Sequence, residues 1–265
     1  MKLNIVPART GIEWMKLGVK TFLKQPLALT GLFFMYMAVV LVISQLPLVG
    51  PVLGAMLVPA ATLGLMAATA EAAGGRFPLP TVLVSAFRAG KQRARAMLVL
   101  GVIYTVGSLL ATLLGGLLGG DPTPVPATAP ADAQAPQMDP RMLWVLLFHM
   151  PLVILFWHAP ALVHWHGVSP VKSLFFSAVA CLRNFGAMFM YGLAWLGVFL
   201  VVGFALSTVG MMLGGVAVAR SVMMPTVLIL VAMFSTSLYF TFRDSFRAED
   251  DAPAAVDEPR GDDTP

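Results

Sequence analysis

Hydrophobic residues in this chain come in long blocks rather than in alternation, and the blocks set the elements. No residue between Lys24 and Glu71 is charged, which is room for two membrane-crossing helices of about 20 residues each. Gly50-Pro51 is the natural break, because Gly and Pro punctuate helices. The pattern predicts spans near 27–47 and 51–72, and the charge-free stretch 96–120 gives a third at 96–118. A fourth, near 142–163, contains Pro151 and Pro160 and is expected to kink at them. The fifth and sixth fall near 185–208 and 221–242. Between them, the Gly- and Met-rich stretch 209–219 fits either a helix extension or a short outer turn. The expected fold is all-α: a polytopic membrane bundle of six transmembrane helices with interfacial amphipathic helices.

Composition sharpens this. Only 11% of the 265 residues are charged and 58% are hydrophobic, against about 25% charged in an ordinary soluble domain. A soluble globular enzyme and a disordered chain are excluded. The one cysteine, Cys181, excludes an intramolecular disulfide framework. Placing the N-terminus in the cytoplasm puts fifteen of the 17 basic residues on the inner side, leaving only Arg141 and Arg220 outside. This is the positive-inside signature. It predicts a multi-pass protein of the bacterial inner (plasma) membrane with both termini cytoplasmic. Lys16, Lys20 and Lys24 precede a first apolar run too long for a signal-peptide core, so that run reads as an uncleaved span.

Three regions follow: a cytoplasmic amphipathic segment at 1–25, a membrane domain at 26–243, and an acidic, disordered cytoplasmic tail at 244–265. At 100° per residue, Arg9, Glu13, Lys16, Lys20 and Lys24 share one narrow arc, beside an apolar side of Ile12, Met15, Val19, Phe22 and Leu23. With Trp14, such a helix suits the inner headgroup plane. In 76–95, Val84, Phe87, Arg88, Lys91 and Arg95 fit a second short helix with one basic side. The expected lipid-interface residues are therefore Arg9, Trp14, Lys16, Lys20, Lys24, Arg88, Lys91 and Arg95, and the expected partners are anionic headgroups at the inner face. No aromatic interleaving accompanies the basic clusters, so no nucleic-acid partner is expected. The outer loop 119–140 is rich in Pro and Ala and reads as flexible or polyproline-II chain.

The candidates for chemistry are few. No carboxylate lies near a span centre, which argues against ion-coupled transport and against acid/base catalysis in the bilayer. His149 and His158 make a candidate buried polar site in the fourth span. They stand nine residues apart, so they face opposite ways on a helix and do not converge on a metal or haem. No catalytic residue, metal site or cofactor is implied, and the chain is not expected to be an enzyme. Thr105, Ser108 and Thr112 form a hydroxyl stripe that suits helix–helix contact. Gly50-x-x-x-Gly54, Gly115-x-x-x-Gly119, Gly116-x-x-x-Gly120 and Gly210-x-x-x-Gly214 permit close approach within the chain or, through the outer helix ends, between copies of it. An offset of 92 residues pairs Pro59 with Pro151, Gly75 with Gly167, Pro78 with Pro170 and Ser85 with Ser177. This outlines a parallel repeat in which spans two and three match spans four and five.

Pro7, Ala8, Arg9, Gly11, Trp14, Phe22, Gln25, Pro26 and Leu27 resemble the opening of an uncharacterised family of betaproteobacterial inner-membrane proteins. The resemblance runs on through Gly50-Pro51, Pro59, Gly75 and Pro78 to the stretch SPVKSLFFSAVACLRNFGAMF. More loosely, the layout is similar to the membrane domain of glycerophosphoryl diester phosphodiesterases, without their catalytic domain. The closer resemblance implies location and topology but no activity. The leading expectation is a non-enzymatic membrane protein that contacts lipids or envelope partners. The alternatives are a facilitative transporter or channel subunit, and a haem-binding or intramembrane enzyme subunit using the span-four histidines.

Overall fold

The computed structural model describes residues 2–120 and 139–247. The bundle is helical and polytopic, with nine α-helices among the described residues: α1 (Thr10–Lys24), α2 (Pro26–Ser44), α3 (Gly50–Ala73), α4 (Ser85–Arg88), α5 (Lys91–Leu118), α6 (Pro140–Phe156), α7 (Ala159–His166), α8 (Pro170–Arg183) and α9 (Phe185–Ser245). A 3-10 turn at Pro80–Val84 leads into α4. Five helical stretches are long and apolar enough to cross a membrane, with α6 and α7 counted as one.

The fifth stretch, α9, is 61 residues long, and its backbone leaves helical geometry at Gly214 and Gly215, where Gly215 has φ +73°. The chain folds back there. A Cβ on Gly210 would lie 2.5 Å from the backbone of Ala219, and Tyr191 bonds Ser237. The fifth and sixth expected spans are thus two antiparallel arms, and 209–219 is helix on both sides of a two-glycine break. A side chain at Gly215 would strain a left-handed backbone.

α1 does not lie flat beside the bundle. It packs between the two arms of α9. Gly11, Trp14, Gly18 and Thr21 recur at i, i+3, i+7 and i+10, and all four are buried. A Cβ on Gly11 would come within 2.0 Å of the Ala187 carbonyl oxygen on the first arm, and one on Gly18 within 2.3 Å of Ser237 on the second. The small residues let the backbones touch, and Trp14, fully enclosed, fills the gap between them with Ala187, Tyr191, Trp195 and Phe240. The Trp14 indole N–H donates to Asp244 Oδ2 at 2.9 Å, and Arg243 donates to the other carboxylate oxygen at 2.7 Å.

The two ends of the described chain join at this place. Lys2–Leu3 pairs antiparallel with Phe246–Arg247, a two-residue departure from the all-helical expectation. Asn184, between α8 and α9, accepts from the Val6 N–H and donates to the Asn4 carbonyl. Residues 244–247 are therefore integral to the fold rather than part of a free tail. Residues 248–265, the body of the expected acidic tail, and 121–138, most of the outer Pro/Ala-rich loop, lie outside the described residues.

Two zones emerge. Large exposed apolar side chains crowd α2, α5, α6 and the upper arms of α9, as at Leu41, Leu113, Leu147 and Phe204. That is the surface a lipid tail solvates. Leu29 of α2 packs in one cluster with Ala72 of α3 and Ala232 of α9. From that level to Ser245 the second arm continues for 13 residues, roughly 20 Å at 1.5 Å per residue. The lower arms, α1, α7 and α8 therefore form a tightly packed lobe that carries most of the buried polar groups, called the inner lobe after the side that the basic residues predict for it.

The two halves of the proposed repeat end their first helices alike. Gly75 (φ +79°) follows α3 and Gly167 (φ +64°) follows α7, each leading through a proline into the next helical segment. The second helices differ, since α8 is regular over 14 residues whereas 80–88 is a 3-10 turn followed by one α-turn.

Replacing Trp14 by Ala should cost about 3–5 kcal/mol, the usual range for emptying a buried Trp site. Gly18→Leu should prevent α1 from seating at all. Thermal unfolding of the detergent-purified variants checks both. Stability equal to wild type in either would contradict this packing.

Candidate lipid-interface site

The basic positions separate by burial. Arg9, Lys16, Lys20, Lys24, Arg88, Lys91 and Arg95 are all exposed. Trp14 is not among them, because its ring is buried between the arms of α9 and its N–H is spent on Asp244. The expectation that it sits at the headgroups is corrected to a structural role. The reason is a third helix face that the charge arc concealed. Gly11, Trp14, Gly18 and Thr21 lie opposite the Leu23 side, while Leu23 itself is exposed.

α1 thus presents a basic stripe next to an outward apolar stripe. Met15, Val19 and Leu23 face Val198, Val202, Leu230 and Met233 of the two arms across an open groove of about 620 Å³, with Lys16, Lys20 and Lys24 along its rim. An apolar floor beside fixed ammonium groups can hold an acyl chain and attract its phosphate.

The second basic cluster is not one helix. Gly90, with φ +103°, breaks the chain between α4 and α5. Arg88 ends the short α4, while Lys91 and Arg95 belong to the first turns of α5, which starts before the expected 96. These side chains still gather at one level because α4 packs against the start of α5.

The structure keeps the two candidate histidines apart. His149 Nε2 lies 3.1 Å from Ser108 Oγ of α5, and its Nδ1 lies 2.8 Å from the carbonyl of Val145. It ties α5 to α6, where Gly107, Gly115 and Gly119 bring the two helices together. The hydroxyls of Thr105 and Thr112 bond carbonyls of their own helix, so the stripe is used within the bundle. Gly50, Gly54, Gly210 and Gly214 also meet neighbours within the chain, whereas Gly116 meets open space.

His158 is fully buried at the junction of α6 and α7. The helix breaks at Trp157–His158, ahead of Pro160, while Pro151 lies inside the continuous α6. Pro160 has no N–H to offer the Phe156 carbonyl, so the helix opens in the turn before it, and a side chain from α8 bridges the gap. Ser177 of α8 inserts its hydroxyl into the helix ladder, accepting from the His158 N–H at 3.0 Å and donating to the Ile154 carbonyl at 2.9 Å. It replaces the i to i−4 bond with two side-chain bonds. Thr241 Oγ1 donates to the Leu238 carbonyl at 2.8 Å, so it accepts from Trp157 Nε1 at 3.1 Å and from His158 Nε2 at 3.3 Å. That places the imidazole proton on Nε2, with Nδ1 toward Cys181 Sγ at 3.8 Å. Among the described residues, no three His, Cys, Asp or Glu side chains form a group able to hold a metal ion. Sequence reasoning passed over Ser177, whose only signal was its pairing with Ser85 in the offset-92 alignment.

Burial pushes the Cys181 thiol up to about 12. Only the thiolate is nucleophilic, so Cys181 should resist maleimide at neutral pH in the folded protein and react fully once it is unfolded. Ser177→Ala strands the His158 N–H, at a cost of about 1–3 kcal/mol, and leaves the Ile154 carbonyl only the Cys181 thiol at 3.8 Å; it should raise the labelling rate along with lowering the melting temperature. Rapid labelling of folded wild type, or a Ser177→Ala variant as protected as wild type, would count against this account of the break.

The chain is similar to a protein of Burkholderia thailandensis described as a probable inner membrane protein. They are 35% identical over 258 residues, which cover 94% of this chain and 96% of the relative. No family model matches, and the looser likeness to the phosphodiesterase membrane domain therefore carries no argument. No solved structure matches.

Proposed function

The chain belongs to the same family as that probable inner membrane protein, and from there we propose that it binds anionic phospholipid headgroups at the inner face of the membrane without catalysing a reaction. The observation that carries this reading is the groove between α1 and the arms of α9. Three lysines line one rim of an otherwise apolar channel at the level where the apolar belt gives way to the inner lobe. Exposed Arg88, Lys91 and Arg95 extend the same positive face on another side of the bundle. Each basic group near an anionic surface contributes about 1 kcal/mol of attraction. The cluster therefore discriminates between anionic and neutral lipid without needing a deep pocket.

The proposed topology has six crossings, with both termini in the cytoplasm. Two observations support it. Lys2–Leu3 pairs with Phe246–Arg247, which puts both ends of the described chain on one side and favours an even number of crossings. The fold-back at Gly214–Gly215 makes two arms of the longest apolar helix.

Replacing Lys16, Lys20 and Lys24 together by Gln should weaken binding of the purified protein to anionic lipid by roughly 3 kcal/mol, about a hundredfold, while leaving its melting temperature in neutral detergent unchanged. Lipid exchange into nanodiscs of phosphatidylglycerol against phosphatidylcholine measures the preference. Equal preference in wild type and the triple variant would remove the proposal.

A further inference from the structure

A second cavity stands apart from the α1 groove. It holds about 420 Å³ at the junction of α3, α4 and α7, and Glu71, Ser85, Arg88 and His164 contribute its polar lining. Two of its polar atoms are buried without a hydrogen-bond partner, Ser85 Oγ and His164 Nδ1. Buried polar atoms normally find a partner, and each one left over calls for an explanation. Arg88 makes no ion pair among the described residues, and the cations that open α5 lie close by. Glu71 does not cancel that charge, because it is ion-paired with Arg76. The cavity therefore offers a hydroxyl, an imidazole nitrogen and a guanidinium to an oxyanion.

Apolar hollows adjoin this cavity. Thr81 also lines a neighbouring cavity of about 430 Å³ walled by α2 and α3. That cavity in turn shares Leu57, Ala60 and Phe87 with a third, of about 340 Å³. Along α2 the apolar walls run from Met35 to Ile43, roughly 12 Å at 1.5 Å per residue. One leaflet of hydrocarbon is about 15 Å deep, half of a core of about 30 Å. A hydroxyl, an imidazole and a guanidinium beside apolar hollows of about leaflet length match one class of molecule.

We infer that this chain holds an individual phospholipid, its phosphate bound by Arg88, Ser85 and His164 and an acyl chain lying between α2 and α3. The inference rests on reading residues 88–95 as the inner headgroup face, but not on the lysine stripe of α1. Ser85 supplies an O–H to a phosphate oxygen, and His164 donates to another in the tautomer that carries its proton on Nδ1. Arg88 supplies the charge-assisted bond that dominates such contacts.

The test is native mass spectrometry of the full chain purified in mild detergent, with lipid extraction and quantification per chain. Wild type should retain about one phospholipid through delipidation. Val39→Trp and Val84→Trp fill the apolar channel from positions that are 49% and 47% exposed, so at least one should fold, and retained phospholipid should fall at least fivefold. Arg88→Gln should lower it similarly. The Lys16/Lys20/Lys24→Gln protein should keep its retained lipid while losing anionic selectivity, which separates failure here from failure of the α1 reading. Inorganic phosphate, titrated calorimetrically, distinguishes a free anion as the occupant. Phosphate binding that survives Val84→Trp in a protein retaining no phospholipid would overturn the lipid assignment. So would lipid retention unchanged in the folded channel-filled variants, or wild type that carries none.

Discussion

The burial of Trp14 between the two arms of α9 is the contact on which the inner half of the molecule depends. In a bilayer, apolar burial between helices gains little, because lipid tails solvate Leu and Val as well as protein does. The upper parts of the helices obey that rule and expose large apolar side chains. The inner lobe lies past the apolar belt, where burial regains its usual value. There the enclosed Trp14 meets Tyr191, Trp195 and Phe240, and its N–H finds the Asp244 carboxylate. The glycines at 11 and 18 make the approach close enough for one ring to fill the gap. The same contact fixes the ends of the described chain, since Asp244 stands two residues before Phe246, which pairs with Leu3, and its carbonyl accepts from Asn4.

This arrangement explains how the inner lobe can carry most of the buried polar groups. Ser237, Thr241, Ser177 and His158 are all buried, and each is satisfied by a named partner. Ser237 serves Tyr191 and Trp195 across the arms, and Ser177 repairs the helix break at His158. A half-satisfied network would be more costly than an apolar core. The exceptions are therefore informative. Of the buried polar atoms without partners, Ser85 Oγ and His164 Nδ1 line the same cavity.

Much of the fold was legible in the chain because a bilayer demands long apolar runs and positive inner loops, and both are properties of composition. The helices at 26–44, 50–73 and 91–118, and the two arms of α9, fall where those runs predict. What stayed hidden was the inner lobe. Its packing depends on small residues at helical spacing around one Trp, and the lysine arc beside them gave the stronger signal. The helix break was legible in part. Of the two prolines that pointed to a kink, Pro151 stays inside α6 and Pro160 follows the break directly, while the hydroxyl that bridges the break comes from α8, a helix distant in sequence. Of the candidate site, the exposed cations were recognised. The cavity joining Ser85 to His164 was not, because 79 residues separate them and neither belongs to a motif.

α1 is a clasped structural helix: Gly11, Trp14, Gly18 and Thr21 are buried between the arms of α9, while its lysines and Leu23 are exposed. Hydrogen exchange of the full chain in nanodiscs measures this directly. The clasp predicts that amides across Thr10–Lys24 exchange as slowly as those around Tyr191 and Trp195, and that they lose protection together with them as denaturant is added. Exchange of the α1 amides at the fast, independent rate of a helix resting on the membrane surface would contradict it.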